Sequence, residues 1–159
     1  MRYDYFDTPR GRMLLVASER GLAGAYFVGQ KHYPKVEREW KRDGDGLRRA
    51  KRELLEYFAG KRRQFSVPLD PQGTRFQRAV WREIAKVGFG ETISYAELAR
   101  RAGSPRSARA AGAATGRNPL GIIVPCHRIV GARGALTGYA GGLGRKRAFL
   151  ALEATASRR

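Results

Sequence analysis

Val124-Pro125-Cys126-His127-Arg128-Ile129-Val130 holds the only cysteine of the chain and one of its two histidines. The apolar run Gly121 to Val124 leads into it and Ile129-Val130 leads out. The stretch therefore reads as the end of a buried strand or as a tight turn between two packed segments. A thiol beside an imidazole in a mostly buried site points to an activated nucleophile, because thiolate is the reactive species and a neighbouring base generates it. The competing reading makes Cys126 a small core residue, as free cysteines often are. Adjacency alone favours the core reading, since neighbours in sequence need not meet in space. The flanking chain reverses that preference.

Upstream of this stretch the pattern is helical. Phe76, Val80, Trp81, Ile84 and Val87 recur at helical spacing, predicting a helix over 74–87 with that stripe in the core. Gly88-Phe89-Gly90 ends it. Ser94 followed by Glu97 is a capping-box signature for a helix running to Arg101. Ala102-Gly103 is a tight turn, and Ser104-Pro105 is expected to open the next helix with a cap and a first-position proline. Two short helices around such a turn suggest a helix-turn-helix. The second of them carries Ala108, Ala110, Ala111, Gly112, Ala113 and Ala114, with Arg109 projecting. A helix reading the major groove needs several polar side chains at base edges, and this one has none to supply. Close approach to a narrower groove and burial by tight packing fit its residues equally well.

Pro-Cys-His-Arg followed by two aliphatic residues resembles the active-site motif of the O6-alkylguanine-DNA alkyltransferases, also called methylated-DNA–protein-cysteine methyltransferases. The resemblance runs from about Phe76 to Glu153. It includes Phe76-Gln77-Arg78-Ala79-Val80-Trp81, Gly90-Glu91-Thr92-Ile93-Ser94-Tyr95, Ser107-Ala108-Arg109-Ala110, Arg117-Asn118-Pro119, Tyr139-Ala140-Gly141-Gly142-Leu143 and Leu152-Glu153, matching in order and spacing. The first seventy residues match loosely, mainly at Leu54-Leu55-Glu56-Tyr57-Phe58-Ala59-Gly60 and Pro68-Leu69-Asp70.

Composition agrees. The chain has 159 residues, with 42% apolar, enough for one large or two small domains. Its 32 Lys and Arg against 14 Asp and Glu give a net charge of +18. A charge of that size speaks for a polyanionic partner, nucleic acid being the commonest, although an arginine-rich solubilising surface accounts for part of it. No apolar run approaches membrane-spanning length. One cysteine excludes an internal disulfide, and with only His32 and His127 besides, a Cys/His zinc site lacks ligands. Some relatives carry a structural zinc that this sequence cannot bind in that way. The N-terminus does not read as a signal peptide, so an intracellular setting, cytoplasmic and at the nucleoid, is expected, with the thiol reduced.

The first seventy residues read differently. Residues 1–30 are expected to be β, with a turn at Glu19-Arg20-Gly21. Residues 31–46 read as helix fragments and loop around Pro34 and Asp43-Gly44-Asp45-Gly46. Leu47 to Ala59 is expected to be a helix, with Leu47, Leu54, Leu55 and Phe58 on one face and Gly60 as its stop. Gln64 to Val67 reads as a short strand ending at Pro68. Asp70-Pro71-Gln72-Gly73 is the best boundary. With the resemblance, this predicts an α+β chain: residues 1–70 an N-terminal α/β structural domain with a small antiparallel, ribonuclease H-like sheet, and residues 71–159 a mainly helical, winged helix-turn-helix domain for DNA binding and alkyl transfer.

The resemblance also implies the chemistry. Cys126 takes the alkyl group from O6 of guanine, with O4-alkylthymine as a second candidate base, and keeps it as a thioether. An alkyl carbon calls for a soft nucleophile, and no second step would regenerate the thiol, so each molecule acts once. His127 matches the imidazole that takes the thiol proton through a water, and Glu153 the carboxylate that orients it. Read from its residues alone, Glu153 is a solvated helix position. Tyr95 matches a phenol on the flipped base, and Asn118 a buried turn residue between the DNA-binding helix and the active-site loop. Ile129, Tyr139, Ala140, Gly141 and Lys146 match the base pocket. Arg109 matches a finger that replaces the extruded nucleotide in the stack. Ser94, Ala110, Gly112 and Arg117 join Tyr95 against DNA, and Ser104, read at a helix N-terminus, is a phosphate contact. No cofactor and no metal are implied. The partners are duplex DNA through its minor groove and an alkylated base, with no membrane and a monomeric state. Ala140 stands where relatives often have Ser, but the implied contact is through the backbone, so activity should survive. Gly121 stands where many have a Pro that packs against bulky alkyl groups, so weaker reaction with free O6-benzylguanine than with methylated DNA is expected. The rival readings are a non-catalytic lesion-binding protein, a sequence-specific regulator and a thiol hydrolase.

Overall fold

The computed structural model describes residues 1–158 and divides into two compact units. The first is Met1–Gln72 together with Pro119–Ile123; the second is Gly73–Asn118 with the chain from Val124 onward.

In the first unit, β1 (Arg2–Thr8), β2 (Gly11–Ala17), β3 (Leu22–Phe27) and a two-residue β4 (Lys41–Arg42) form a sheet in the order β3-β2-β1-β4. β1 and β2 are an antiparallel hairpin closed at Thr8 opposite Gly11, and β2 pairs antiparallel with β3 through a register shift at Val16/Ala17. Met13 to Ala17 are all buried. A central strand covered on both faces has no need to alternate, which explains its unbroken apolar run. The outer edge of β3 is closed by isolated parallel bridges from Leu22 to Leu69 and from Ala25 to Leu120, so few edge amides stay open to another strand. In the same returning segment Ile122 is left-handed at φ 73°, with Ile123 N donating to Gly121 O at 2.9 Å. A β-branched residue there is strained.

Three expectations for this unit need correction. Residues 31–46 contain no helix; the chain runs in turns to β4, which pairs parallel with β1. The helix α1 spans Arg48–Phe58, and its inward face is Ala50, Glu53, Leu54 and Tyr57, whereas Leu55 is 43% exposed and Phe58 half-buried. Gln64–Val67 is not a strand. Ser66 N and Val67 N donate to the Glu53 carboxylate, which removes them from any ladder.

The second unit holds α2 (Arg75–Ala85), β5 (Ile93–Ser94), α3 (Tyr95–Arg101), α4 (Ala108–Gly116), a 3-10 turn at Cys126–Arg128, β6 (Ile129–Val130), a second 3-10 turn at Ala132–Gly134, and α5 (Leu143–Ser157). Thr74 and Gln77 close a reciprocal capping box on α2. Trp81 Nε1 donates to Ala114 O at 2.8 Å, fastening α2 to α4. Ser94 caps α3 by accepting from Glu97 N, but the return bond expected of Glu97 is not made, because its carboxylate takes Arg100 and Arg101. The helix after Gly103 starts later than expected. Ser104-Pro105 lies in a turn closed by Ser107 N to Ser104 O, and Ser107 is the N-cap of α4. β5 and β6 pair in parallel, Ile93 with Ile129 and Ser94 with Val130. That pairing brings the start of α3 beside the exit of the Cys126 turn. Among the described residues no helix is long and apolar enough to cross a membrane.

Candidate active site and nucleic-acid interface

The Cys126 turn is built by its own backbone. Cys126 N donates to Val124 O at 2.8 Å across Pro125, and Arg128 N donates to Pro125 O at 2.9 Å. Proline fits this bend because its ring fixes φ, here −80°. Asn118, buried at the end of α4, donates from Nδ2 to Val124 O at 2.8 Å. Its side chain also bonds the Cys126 thiol. Cys126 is 6% exposed. Burial pushes its pKa up, opposed by the Asn118 bond and by the charge of Lys146.

His127 is fully buried, its ring 5.4 Å from that of Phe149. Its Nε2 meets Glu153 Oε2 at 2.5 Å. Glu153, 1% exposed on the inward face of α5, accepts from Gly90 N at 3.2 Å, from Arg128 Nε at 2.8 Å and from Arg128 Nη2 at 3.1 Å. Burial holds His127 below its ordinary pKa; the Glu153 contact raises it, while Arg128 and Lys146 lower it.

Lys146 is the second buried cation. Its Nζ donates to Ile129 O at 2.7 Å, to Thr137 O at 2.8 Å and to Gly138 O at 3.3 Å, and lies 5.9 Å from the centre of the Tyr95 ring. Tyr95 OH donates to the same Thr137 carbonyl at 3.4 Å. Burial raises the Tyr95 pKa, and raises that of Tyr139 well above the phenol range. Both are therefore phenols, able to donate a hydrogen bond, at neutral pH. Tyr139 packs edge-on against Phe149 at 6.2 Å; Ala140 and Gly141 follow it, half-buried.

The fold thus gathers Cys126, His127, Glu153, Asn118, Tyr95, Ile129 and Lys146 into one buried or half-buried cluster, with Tyr139 on Phe149 beside it. Arg109, Ala110 and Arg117 are not in it. They are exposed on or just beyond α4, with Gly112 beside Tyr95: a Cβ at Gly112 would lie 3.7 Å from the Tyr95 ring. Ser94 caps α3. Ser104 is not at a helix N-terminus, which corrects the expectation behind its assignment: the first helical residue is Ala108. Arg128 was given no role on sequence grounds, although it stands within the motif; here it is 6% exposed and holds both Glu153 oxygens. The two units also differ in charge. Residues 1–72 carry 16 basic and 10 acidic side chains, net +6, and residues 73–159 carry 16 and 4, net +12. Pro119–Ile123 adds none.

Two family models match the chain. One is the ribonuclease-like domain of 6-O-methylguanine DNA methyltransferase, over residues 1–71; the other is the DNA-binding domain of the same enzyme, over residues 75–155. The methylated-DNA–protein-cysteine methyltransferase of Methanosarcina acetivorans is 44% identical over 153 residues, covering 96% of this chain and 98% of that protein. The constitutive enzyme of that name from Bacillus subtilis is 41% identical over 156 residues, covering 93% and 92%. The crystal structure of Mycobacterium tuberculosis OGT in complex with DNA superposes with a TM-score of 0.90 at 42% identity, covering 98% of this chain and 94% of that one.

Proposed function

The chain belongs to the 6-O-methylguanine DNA methyltransferase family, and from that premise we propose that it binds DNA and repairs O6-alkylguanine by moving the alkyl group onto Cys126. The observation that carries this reading is the cluster itself. The only thiol of the chain is one residue from a buried imidazole whose far nitrogen is tied to a buried carboxylate.

The step balances as follows. The proton of Cys126 Sγ passes through one water to Nδ1 of His127, the nitrogen away from Glu153. The thiolate attacks the alkyl carbon; the S–C bond forms as the C–O6 bond breaks, and the electron pair of that bond stays on the base. The departing guanine anion takes up one proton, matched by the one that His127 then gives back, so the thiol hydrogen is replaced by the alkyl group and guanine is restored. Thioether is a poor leaving group, and each molecule turns over once. Burial raises the thiol pKa, so at rest the proton sits on sulfur and reactive thiolate forms only in the assembled site. Asn118 and Lys146 stabilise that thiolate. Tyr95 donates to the base as it leaves. The backbone of Cys126, Ile129 and Ala140 reads the guanine edge, with Tyr139 and Gly141 lining the pocket.

A stacked base cannot present O6 to the thiol of a buried cysteine, so the nucleotide must be flipped, at a cost of a few kcal/mol. Arg109 on the smooth outer face of α4 fills the vacated stack from the minor groove. Arg117, Ala110, Gly112, Ser94 and Ser104 lie along the backbone, and the +12 of the second half supplies long-range attraction. Residues 71–159 thus carry binding and transfer, while residues 1–70 support them. The protein acts as a monomer in the cytoplasm, at the nucleoid.

Intact mass after incubation with duplex DNA carrying O6-methylguanine tests the proposal. Wild type should gain one methylene and then be inert, and Cys126→Ser should gain nothing. Tight lesion binding with no gain on wild type would leave a damage sensor and remove the catalytic roles.

A further inference from the structure

We propose that Arg128 is a positioning residue for the proton transfer from Cys126 to His127: its guanidinium, held against both oxygens of Glu153, neutralises that carboxylate so that His127 rests uncharged and open to the thiol proton. This rests on the alkyl-transfer reading above.

The geometry ties Arg128 on three sides. Nε and Nη2 reach Glu153 Oε1 and Oε2, Nη1 donates to Val87 O at 2.7 Å beyond the end of α2, and the guanidinium lies 5.6 Å from the Phe89 ring centre. Among the charges that act on the imidazole, Glu153 and Lys146 come from α5 and Arg128 from its own turn, beside the neighbouring Cys126 thiol; the apolar Phe149 ring lies 5.4 Å away. With Arg128 present, the carboxylate and guanidinium sum to zero. Moving the thiol proton to His127 then creates one anion and one cation side by side, and the cluster charge does not change. Without Arg128, a buried carboxylate 2.5 Å from Nε2 would be balanced most simply by a proton from solvent. His127 would rest as imidazolium, and the place for the thiol proton would already be taken. A guanidinium suits this task because it stays charged in any protein site and its planar fork spans both carboxylate oxygens. Lys146 cannot substitute, since its ammonium is committed to three carbonyls. The direction of the His127 shift, downward through burial and then through Arg128 and Lys146, agrees.

The experiment follows the His127 ring nitrogens by NMR from about pH 8 to about pH 5, in wild type, Arg128→Gln and Arg128→Lys. Alkyl-transfer rates are taken over the same range. Wild-type His127 should remain neutral at neutral pH. In Arg128→Gln its midpoint should rise by about one pH unit or more, and the acid limb of the rate profile should move up with it. Arg128→Lys should restore most of both shifts. A rate lowered by one factor at every pH, with the His127 midpoint unmoved, would overturn the proposal and leave Arg128 a structural tie. Should Arg128→Gln fail to fold, wild type and Arg128→Lys still decide, because an imidazolium at neutral pH in either is incompatible with the assignment. The titration uses no DNA, so its outcome is independent of whether Cys126 accepts an alkyl group.

Discussion

Glu53 in the first unit and Glu153 in the second are each 1% exposed, and each is bound by arginine. The bonds of Glu53 come from Ser66 N, Ser66 Oγ, Val67 N and Arg49, none of which changes charge near neutral pH. Those of Glu153 come from Gly90 N, Arg128 and His127. One of these partners titrates, and it stands next to the only thiol. A buried, saturated carboxylate is therefore not by itself the mark of a reactive site. The mark is a carboxylate that shares its charge with a group able to carry a proton to a nucleophile.

The sharpest way to break this comparison is to neutralise each acid. Both Glu53→Gln and Glu153→Gln should destabilise the fold by about 3 kcal/mol, since each leaves a buried arginine or amide set unmatched. Only Glu153→Gln should also slow alkyl transfer, by roughly a hundredfold to a thousandfold, as expected for a lost orienter of a proton acceptor. Urea melts beside quenched single-turnover mass spectrometry separate the two effects. Equal rate losses in the folded fractions would erase the distinction drawn between the units.

A smaller effect sharpens the division within the second unit, between the buried cluster and the exposed face of α4. Arg109→Ala should slow repair of duplex DNA by about tenfold to a hundredfold, the loss expected when flipping, which costs a few kcal/mol, goes unassisted. Reaction with a free alkylated guanine should be unchanged. Parallel losses on both substrates would place Arg109 in the chemistry and not in the flipping.

The smallest effect is on acid stability. Burial pushes Asp4 upward, but bonds from Lys51, Arg42 and Tyr5 N outweigh it and hold the carboxyl at about 2, against an ordinary 3.8. Between these values the unfolded chain binds the extra proton. The stabilisation, about 2 kcal/mol, is whole above the ordinary value and gone once pH falls below about 2. His127 works in an earlier window. Its folded pKa lies below 6.5, so the unfolded chain again binds more protons, and stability falls as pH drops below that value. Asp4→Asn should flatten the stability curve at the acid end and leave the descent below about pH 6.5 in place; loss of both slopes together would mean that the two units do not titrate independently.

Much of this was legible beforehand. Helical spacing located α2, residues 1–30 read as β with the Glu19-Arg20-Gly21 turn before β3, and Pro-Cys-His-Arg located the reactive turn; the hairpin turn between β1 and β2 at Thr8–Gly11 was not read. The misreadings share one cause. On α1, aliphatic spacing put Leu55 and Phe58 inside, whereas Glu53 is inside with Ala50, Leu54 and Tyr57. It is stabilised there by amides from 66 and 67 that no local pattern announces, and the same bonds removed the strand expected at Gln64–Val67. Ser104-Pro105 carried a strong capping signature, yet its backbone closed a turn and left the cap to Ser107. Glu153 looked solvated because hydropathy scores a carboxylate as outward-facing, and its real partners lie 25, 26 and 63 residues away in the chain.

The sequence by itself determined which atom can react and what kind of partner the chain attracts. A lone cysteine needs no fold to be the only thiol, and a net charge of +18 is a sum over residues. Only the tertiary structure decided where the protons rest. That depends on how far thiol, imidazole and carboxylate are removed from water and on which charges stand beside them. Arg128 and Glu153 supply those charges because folding seats α5 against the Cys126 turn.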